Sequence, residues 1–376
     1  MSAELLKHFS TLPDPRVDRT KRYPLVEILF LVISAVISGC DGWKSIHDFG
    51  EIKLEWLKKY LPYEEGIPTD DTIARVMRRL DTKAFAACFM TWMSAVSAVT
   101  KEKIVSIDGK TLRHSYNRRD DKSAIHMVSA WSHANGVVLG QEKTNEKSNE
   151  ITAIPELLQA LALKGCIVTI DAMGCQEAIA EQIIKKKADY VLALKGNQGH
   201  LHEDITQFFE TAQASGFVNL RCDFHEEYDA GHGRVEHRKC WVIEPQHYKG
   251  SFRNLAKWKK LAAIFMVQTQ RDLGEKVTKD TRFYIASCQP TAQQALNMVR
   301  AHWHIENCLH WTLDMTFSED ASRIRTEASP ENFAIIRHIA LNVIKKDTSR
   351  KASVKRKRAM AALDDQFRST LITQGF

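Results

Sequence analysis

From residue 104 to residue 214 the chain changes texture in an order that few folds accommodate: three short apolar runs, then helix, strand, helix, strand and helix. Residues 104–108 read as a buried strand, and runs at 125–132 and 137–142 flank His133-Ala134-Asn135-Gly136, where Asn-Gly favours a tight hairpin. Helical spacing then covers 151–163, strand-like residues 166–171, helical spacing 176–187, strand-like residues 190–195 and helical spacing 202–214. Two strand-like runs end in an aspartate: Asp108 within Ile107-Asp108-Gly109-Lys110, and Asp171 within Ile170-Asp171-Ala172-Met173-Gly174.

Three antiparallel strands followed by helix, strand, helix and strand is the order of an α/β, ribonuclease H-like fold. In such a sheet the first and fourth strands are neighbours, so two carboxylates 63 residues apart (171 minus 108) can share a metal. A third carboxylate, Glu306, lies in a helix-like stretch, His302-Trp303-His304-Ile305-Glu306-Asn307. In-line cleavage of a phosphodiester uses two divalent ions roughly 3.5 to 4 Å apart. Mg²⁺ takes only one or two carboxylates and fills its octahedron with water and phosphate. Asp108, Asp171 and Glu306 are therefore read as catalytic and metal-binding, with Mg²⁺ as the cofactor and Mn²⁺ as a substitute.

Each residue has a plainer reading. Asp before Gly is common in turns, and Asp314, Glu319 and Asp320 lie near enough to compete with Glu306, Asp314 on much the same helical face. His302 and His310, four residues to either side of Glu306, would share its face and meet phosphate. His302, His304, Cys308 and His310 are zinc-type ligands, but no second ligand pair completes a tetrahedral set. Trp303 and Trp311 read as packing the helix onto the sheet.

At 376 residues and 44% hydrophobic, the chain is large enough for several domains and a real core. The spacing predicts a helical N-terminal domain at 1–97 and a first core segment at 98–214. A β-rich insertion at 215–290 has strand-like runs at 240–243, 261–268 and 281–286, and the rest of the core, with the glutamate helix, follows at 291–344. The net charge is +7 (53 minus 46), and residues 345–358 alone carry eight basic side chains against Asp347, again +7. Residues 345–376 thus read as a basic tail, with Lys355, Arg356, Lys357 and Arg358 as phosphate contacts. Arg75, Arg78 and Arg79, on one side of a helix starting near Thr69, read either as DNA contacts or as an ordinary solvated face. The longest apolar run, 25–37, contains Glu27 and falls short of the roughly 20 residues a membrane helix needs. Eight scattered cysteines with no Cys-x-x-Cys pair fit reduced thiols in a cytoplasm.

Ser106-Ile107-Asp108-Gly109-Lys110, Asp171 to Gln176, Lys195-Gly196-Asn197-Gln198, Gly233-Arg234-Val235-Glu236 and the Glu306 stretch followed by His310-Trp311 together resemble the H-repeat-associated transposases, a DDE-type insertion-sequence family. The likeness reaches Phe317-Ser318-Glu319-Asp320 and residues 337–342, so it spans nearly the whole chain. It implies a helical N-terminal domain, an interrupted ribonuclease H-like catalytic domain and an acidic triad at Asp108, Asp171 and Glu306. It also implies double-stranded DNA, both element ends and target, as the partner of a homodimer working at the bacterial nucleoid in the cytoplasm. The wider DDE pattern of Tyr, two residues, Arg, three residues, Glu, six residues, Lys is replaced here by Val299, His302, Glu306 and Leu313. His302, His310 or Arg300 then stand in for the missing basic residues, and Lys195 and Arg234 join them as DNA contact candidates. The rivals are a DNA-binding descendant without activity and a plain nuclease of the same fold. Concentrated negative charge beside DNA argues against the first; no residue separates the second.

Overall fold

The structure, a computed structural model, describes residues 4–96, 104–116, 123–144, 150–218, 220–231, 234–248, 250–274 and 276–374. Gly233 and the expected boundary at 97–98 lie outside them. Nine strands follow in chain order: β1 (Ile104–Thr111), β2 (His126–Ser132), β3 (Val137–Lys143), β4 (Ile167–Ile170), β5 (Asp189–Leu194), β6 (Asp223–Gly231), β7 (Arg234–Ile243), β8 (Ala263–Asp272) and β9 (Val277–Ala286). The chain divides into two compact units, a first made of Met1–Ala98, Gly109–Asn149 and Glu306–Phe376, and a second made of Val99–Asp108 and Glu150–Ile305.

In the second unit the start of β1 pairs parallel with β4, and β4 parallel with β5. These strands are short and apolar on both faces, as parallel strands covered by helices must be. Helices Glu150–Ala160 and Glu177–Lys185 supply the crossovers. The region expected as an insertion does not stand apart. β9 pairs antiparallel with β5, from Val191↔Ala286 to Leu194↔Phe283, and the order continues through β8 and β7 to β6. Alternate residues of these strands (Cys240, Val242, Phe265, Val267, Tyr284) meet Ala295, Leu296 and Val299 of helix Ala292–Ile305 in one core. β6, Asp-Phe-His-Glu-Glu-Tyr-Asp-Ala-Gly, is exposed along most of its length, so no apolar alternation marks it in the sequence.

In the first unit β2 and β3 form the antiparallel hairpin, closed at Gly136 with φ 63°, where glycine carries no penalty. The end of β1 enters this unit, and Leu112 N–H donates to the Ile125 carbonyl. The order β3-β2-β1 here and β1-β4-β5 in the second unit share one strand, which is the ribonuclease H-like arrangement. Helix Ser329–Lys346 is the unit's axis, buried from Ser329 to Ile344 and packed by Leu25–Ile37, Asp70–Arg79 and Thr82–Val96. Two of its buried amides tie it to neighbours: Asn332 donates to the Met77 and Leu80 carbonyls, and Asn342 bonds both N–H and C=O of Val138. Among the described residues no helix is long and apolar enough to cross a membrane.

Residues 345–376 are not a loose basic tail, as the charge run suggests. They fold into helices Val354–Leu363 and Asp365–Gln374, with Lys357, Arg358 and Arg368 buried. Helix C-termini present unpaired carbonyls and a negative dipole end, and cations answer both. Lys357 donates to the carbonyls of Ile344 and Asp347 at the end of the axial helix and pairs with Asp347. Arg358 donates to the Val36 carbonyl at the end of Leu25–Ile37 and pairs with Asp41 at 2.7 Å.

Candidate active site

The parallel register of β1 on β4 ends at Ile107↔Ile170, so the next residues are Asp108, still on β1, and Asp171, the first residue after β4. Neighbouring strands lie about 4.8 Å apart, which puts two carboxylate-bearing residues side by side in the second unit. Two residues back on the same face, Ser106 and Thr169 are also partners in register. Thr169 Oγ1 donates to Ser106 Oγ at 3.1 Å and lies 3.1 Å from His302 Nδ1, while Ser106 Oγ donates to the Ala301 carbonyl. The face that carries both aspartates is therefore the face to which helix Ala292–Ile305 is bolted. Glu306 is the residue immediately after that helix.

The loop after β4 holds Asp171. Its Oδ1 accepts the backbone N–H groups of Met173 and Gly174, at 3.0 and 3.2 Å. A Cβ on Gly174 would sit 2.3 Å from Ile170 Cγ2 and 2.9 Å from Ile154 Cδ1, so the loop closes this tightly only with glycine there. From the turn after β5, Asn197 Nδ2 donates to the Ala172 carbonyl and Gln198 Nε2 to that of Cys175. By sequence alone Asn197 and Gln198 are ordinary turn residues; in the fold they brace the aspartate loop. Burial is the main force raising the Asp171 carboxyl above its usual range, with Glu150 adding to it while the amide bonds and Lys195 oppose it. Asp171 makes no ion pair among the described residues, and its Oδ2 takes no hydrogen bond there. A half-buried carboxyl with a raised proton affinity and an uncommitted oxygen, beside a second aspartate, fits a hard divalent ion. Among the described residues no group of three or more His, Cys, Asp or Glu side chains converges as a metal cage, so the fit rests on the aspartate pair.

Glu306 is exposed and opens a π-helical turn, Glu306–His310, after which α-helix resumes at Trp311–Phe317. A π-turn inserts an extra residue and shifts the register, so the regular four-residue spacing to His310 and Asp314 does not hold. The competing carboxylates are committed within the first unit: Lys110 Nζ donates to Asp314 at 2.6 Å, Glu319 at 3.1 Å and Asp320 at 3.1 Å. Arg113 pairs with Asp320 and Arg337 with Glu319. Burial depresses the Lys110 ammonium, but Glu319 and Asp314 outweigh it and the net shift is upward.

The expected phosphate contacts divide. Arg75, Arg79, Lys195, Lys355 and Arg356 are exposed, and Arg78 is half-buried. Lys357 and Arg358 cap helices, which corrects their assignment as DNA contacts. Arg300 bonds Glu227 and Asp229 of β6, and Arg234 pairs with Glu236, so both are spent on neighbours. His302 positions rather than binds: its ring is enclosed, and burial pushes its pKa down to about 4. His310 is likewise pushed down to about 4, first by burial and then by Lys110, so neither ring is cationic at neutral pH. The tryptophans expected to pack the helix onto the sheet differ: Trp311 is 61% exposed, whereas Trp303 meets the sheet through Arg282 of β9, whose guanidinium lies over its ring at 4.5 Å.

Residues 99–343 match the transposase DDE domain, and residues 6–93 match the domain described as associated with it. Two Escherichia coli proteins named as putative transposases are similar over nearly the whole chain. YncI of strain O157:H7 is 45% identical over 96% of this chain and 92% of its own, and the H repeat-associated YhhI of strain K12 is 41% identical over 98% and 97%. Among solved structures, a piggyBac transposase synaptic complex with hairpin DNA aligns over 98% of this chain and 77% of its own at a TM-score of 0.43 and 9% identity, too distant to bear on the site. With a DDE-domain match over most of its length and full-length relatives above 40% identity, the chain belongs to the DDE transposase family, among its H repeat-associated members.

Proposed function

We propose that the protein cleaves phosphodiesters at the ends of a mobile DNA element and joins the freed 3′ hydroxyls to target DNA, with Asp108, Asp171 and Glu306 as its acidic triad. The observation that carries this reading is the placement of Asp108 and Asp171 one residue past a parallel register pair. When bound, Mg²⁺ supplies the positive charge that offsets the developing charge on attacking and leaving oxygens of an in-line displacement. The chain's own part is orientation. The Met173 and Gly174 amides fix one Asp171 oxygen, and the other would hold the ion. The Ser106–Thr169–His302 bonds hold helix Ala292–Ile305 to the strands that carry or precede the two aspartates.

Glu306 is preferred as the third carboxylate because Asp314, Glu319 and Asp320 already surround Lys110. Double-stranded DNA, as element end and as target, is the partner, engaged through exposed Arg75, Arg79, Lys195, Lys355 and Arg356 by a homodimer in the bacterial cytoplasm. A purely DNA-binding role is disfavoured, because concentrated negative charge beside a phosphate backbone would weaken binding and serve nothing else.

The test is cleavage and strand joining on DNA carrying the element's own flanks, in Mg²⁺ or Mn²⁺. Asp108→Asn, Asp171→Asn and Glu306→Gln should each remove detectable products while DNA binding is kept or tightened. Asp314→Asn should leave measurable cutting. Full cleavage by either aspartate variant overturns the site, and loss in Asp314→Asn with retention in Glu306→Gln reassigns the third ligand. Products cut but never joined would identify a nuclease instead.

A further inference from the structure

We propose that a basic cleft in the first unit, between helix Asp70–Arg79 and residues 322–329, binds a phosphate group, and that in use this is a phosphate of the DNA backbone; the second clause rests on the function proposed above. The cleft has a volume of about 420 Å³ and is lined by Arg78, Arg323 and Arg325 together with the hydroxyl residues Ser322, Thr326 and Ser329. None of the three arginines has a carboxylate partner among the described residues. Arg78 Nε is buried without an acceptor, while the Arg78 carbonyl takes the Ala328 N–H and ties the helix end to the segment. Arg325 spends only Nε, on the His114 carbonyl, and its guanidinium lies over the Tyr116 ring at 4.7 Å, which fixes the direction of its remaining donors. Arg323 is exposed and makes no hydrogen bond or ion pair among the described residues.

Three unneutralised guanidinium groups around one cavity repel each other, and a buried donor without an acceptor is costly. An anion with several acceptor oxygens answers both at once, and the planar fork of arginine matches phosphate geometry. Two helices also begin at this cleft, Trp43–Ile52 and Ser329–Lys346, and neither has a side chain capping its first amides. Their positive ends add to the arginines. The one carboxylate in the lining, Asp41, does not oppose the ligand with a bare charge, since Arg358 binds both its oxygens. Arg75 and Arg79, exposed on the same helix, continue the positive surface along which a duplex would run.

The experiment uses the full chain without divalent metal. Binding of a labelled duplex about three helical turns long is measured across a salt series for the wild type, Arg323→Gln, the double variant Arg78→Gln/Arg323→Gln, and Lys185→Gln as a distant control. Inorganic phosphate and pyrophosphate are titrated in parallel by thermal shift. The double variant should flatten the dependence of log affinity on log salt by about 0.9, the value for one phosphate neutralised, and lose the thermal shift; Lys185→Gln should do neither. Loss of the thermal shift with an unchanged DNA slope would keep the pocket and overturn the backbone as its source. Both readouts unchanged in folded variants overturn the proposal. Should Arg78→Gln fail to fold, Arg323→Gln alone decides, because that side chain supports nothing else. A wild type that binds phosphate here but no DNA would defeat the transposase reading and leave the pocket standing.

Discussion

Two groups of acidic side chains lie one in each unit, and they are built in opposite ways. Around Lys110 in the first unit, Asp314, Glu319 and Asp320 converge on one ammonium, with Arg113 and Arg337 behind them, so the cluster brings its own cations. In the second unit Asp171 is held by two amides and has no ion pair among the described residues, although burial works against its charge. Acidity alone therefore does not distinguish the two groups. What separates them is whether the fold has already supplied the counter-charge: where it has, the carboxylates hold structure together; where it has not, an ion and a phosphate have room.

The sharpest way to break this contrast is to remove the built-in cation. Lys110→Met leaves three partly buried carboxylates facing one another and should cost about 3 to 5 kcal/mol, the range for breaking a buried pair by deleting one partner. Denaturant melts would check it; a change below about 1 kcal/mol would mean that solvent, rather than Lys110, screens these carboxylates. The same variant supplied with millimolar Mg²⁺ should regain part of the loss, because a vacated acidic cluster then resembles the open one.

Acid separates the units next. His302 in the second unit has its pKa lowered to about 4, whereas the first unit holds two such residues, His310 at about 4 and His338 at about 3, all mainly through burial. A neutral buried histidine binds fewer protons folded than unfolded, so stability is complete above the unfolded value near 6.5 and falls as the pH drops toward the folded value. Each should remove about 2 kcal/mol between pH 7 and pH 5. The first unit should consequently lose hydrogen-exchange protection before the second, and uniform protection at both pH values would contradict these shifts. The smallest effect is expected at Gly174. Gly174→Ala pushes on Ile170 and displaces the amides that hold Asp171, which should lower cleavage about 10- to 100-fold, as loss of an orienting contact around a metal ligand does, with little change in melting temperature. Unaltered activity would show that Asp171 does not depend on that loop.

Apolar runs make β1, β4, β5 and both aspartates legible, because parallel strands buried on two faces leave a continuous signal and end abruptly at a polar residue, while the Asn-Gly turn marks the β2–β3 hairpin. β6 is not legible, since an exposed strand at the sheet's edge needs no apolar face. The π-turn is hidden for a different reason: Ile305, Leu309 and Leu313 keep a regular four-residue apolar spacing while the backbone hydrogen bonds change partner. Lys357 and Arg358 mislead because a charged residue reads as solvated until the carbonyls it caps are known, and Val36, which Arg358 caps, lies far away in sequence. His302 misleads similarly, a ring expected to face phosphate but turned onto Thr169.

That pair of neighbouring cations also bears on how the chain is made. Helix Leu25–Ile37 is synthesised well before the guanidinium that closes its end, which comes from a residue 322 positions later than Val36. The axial helix of the same unit waits for Lys357 in the same way. The first unit can therefore reach its final packing only once residues 357 and 358 have been synthesised, and a product shortened before them would leave both helix ends open.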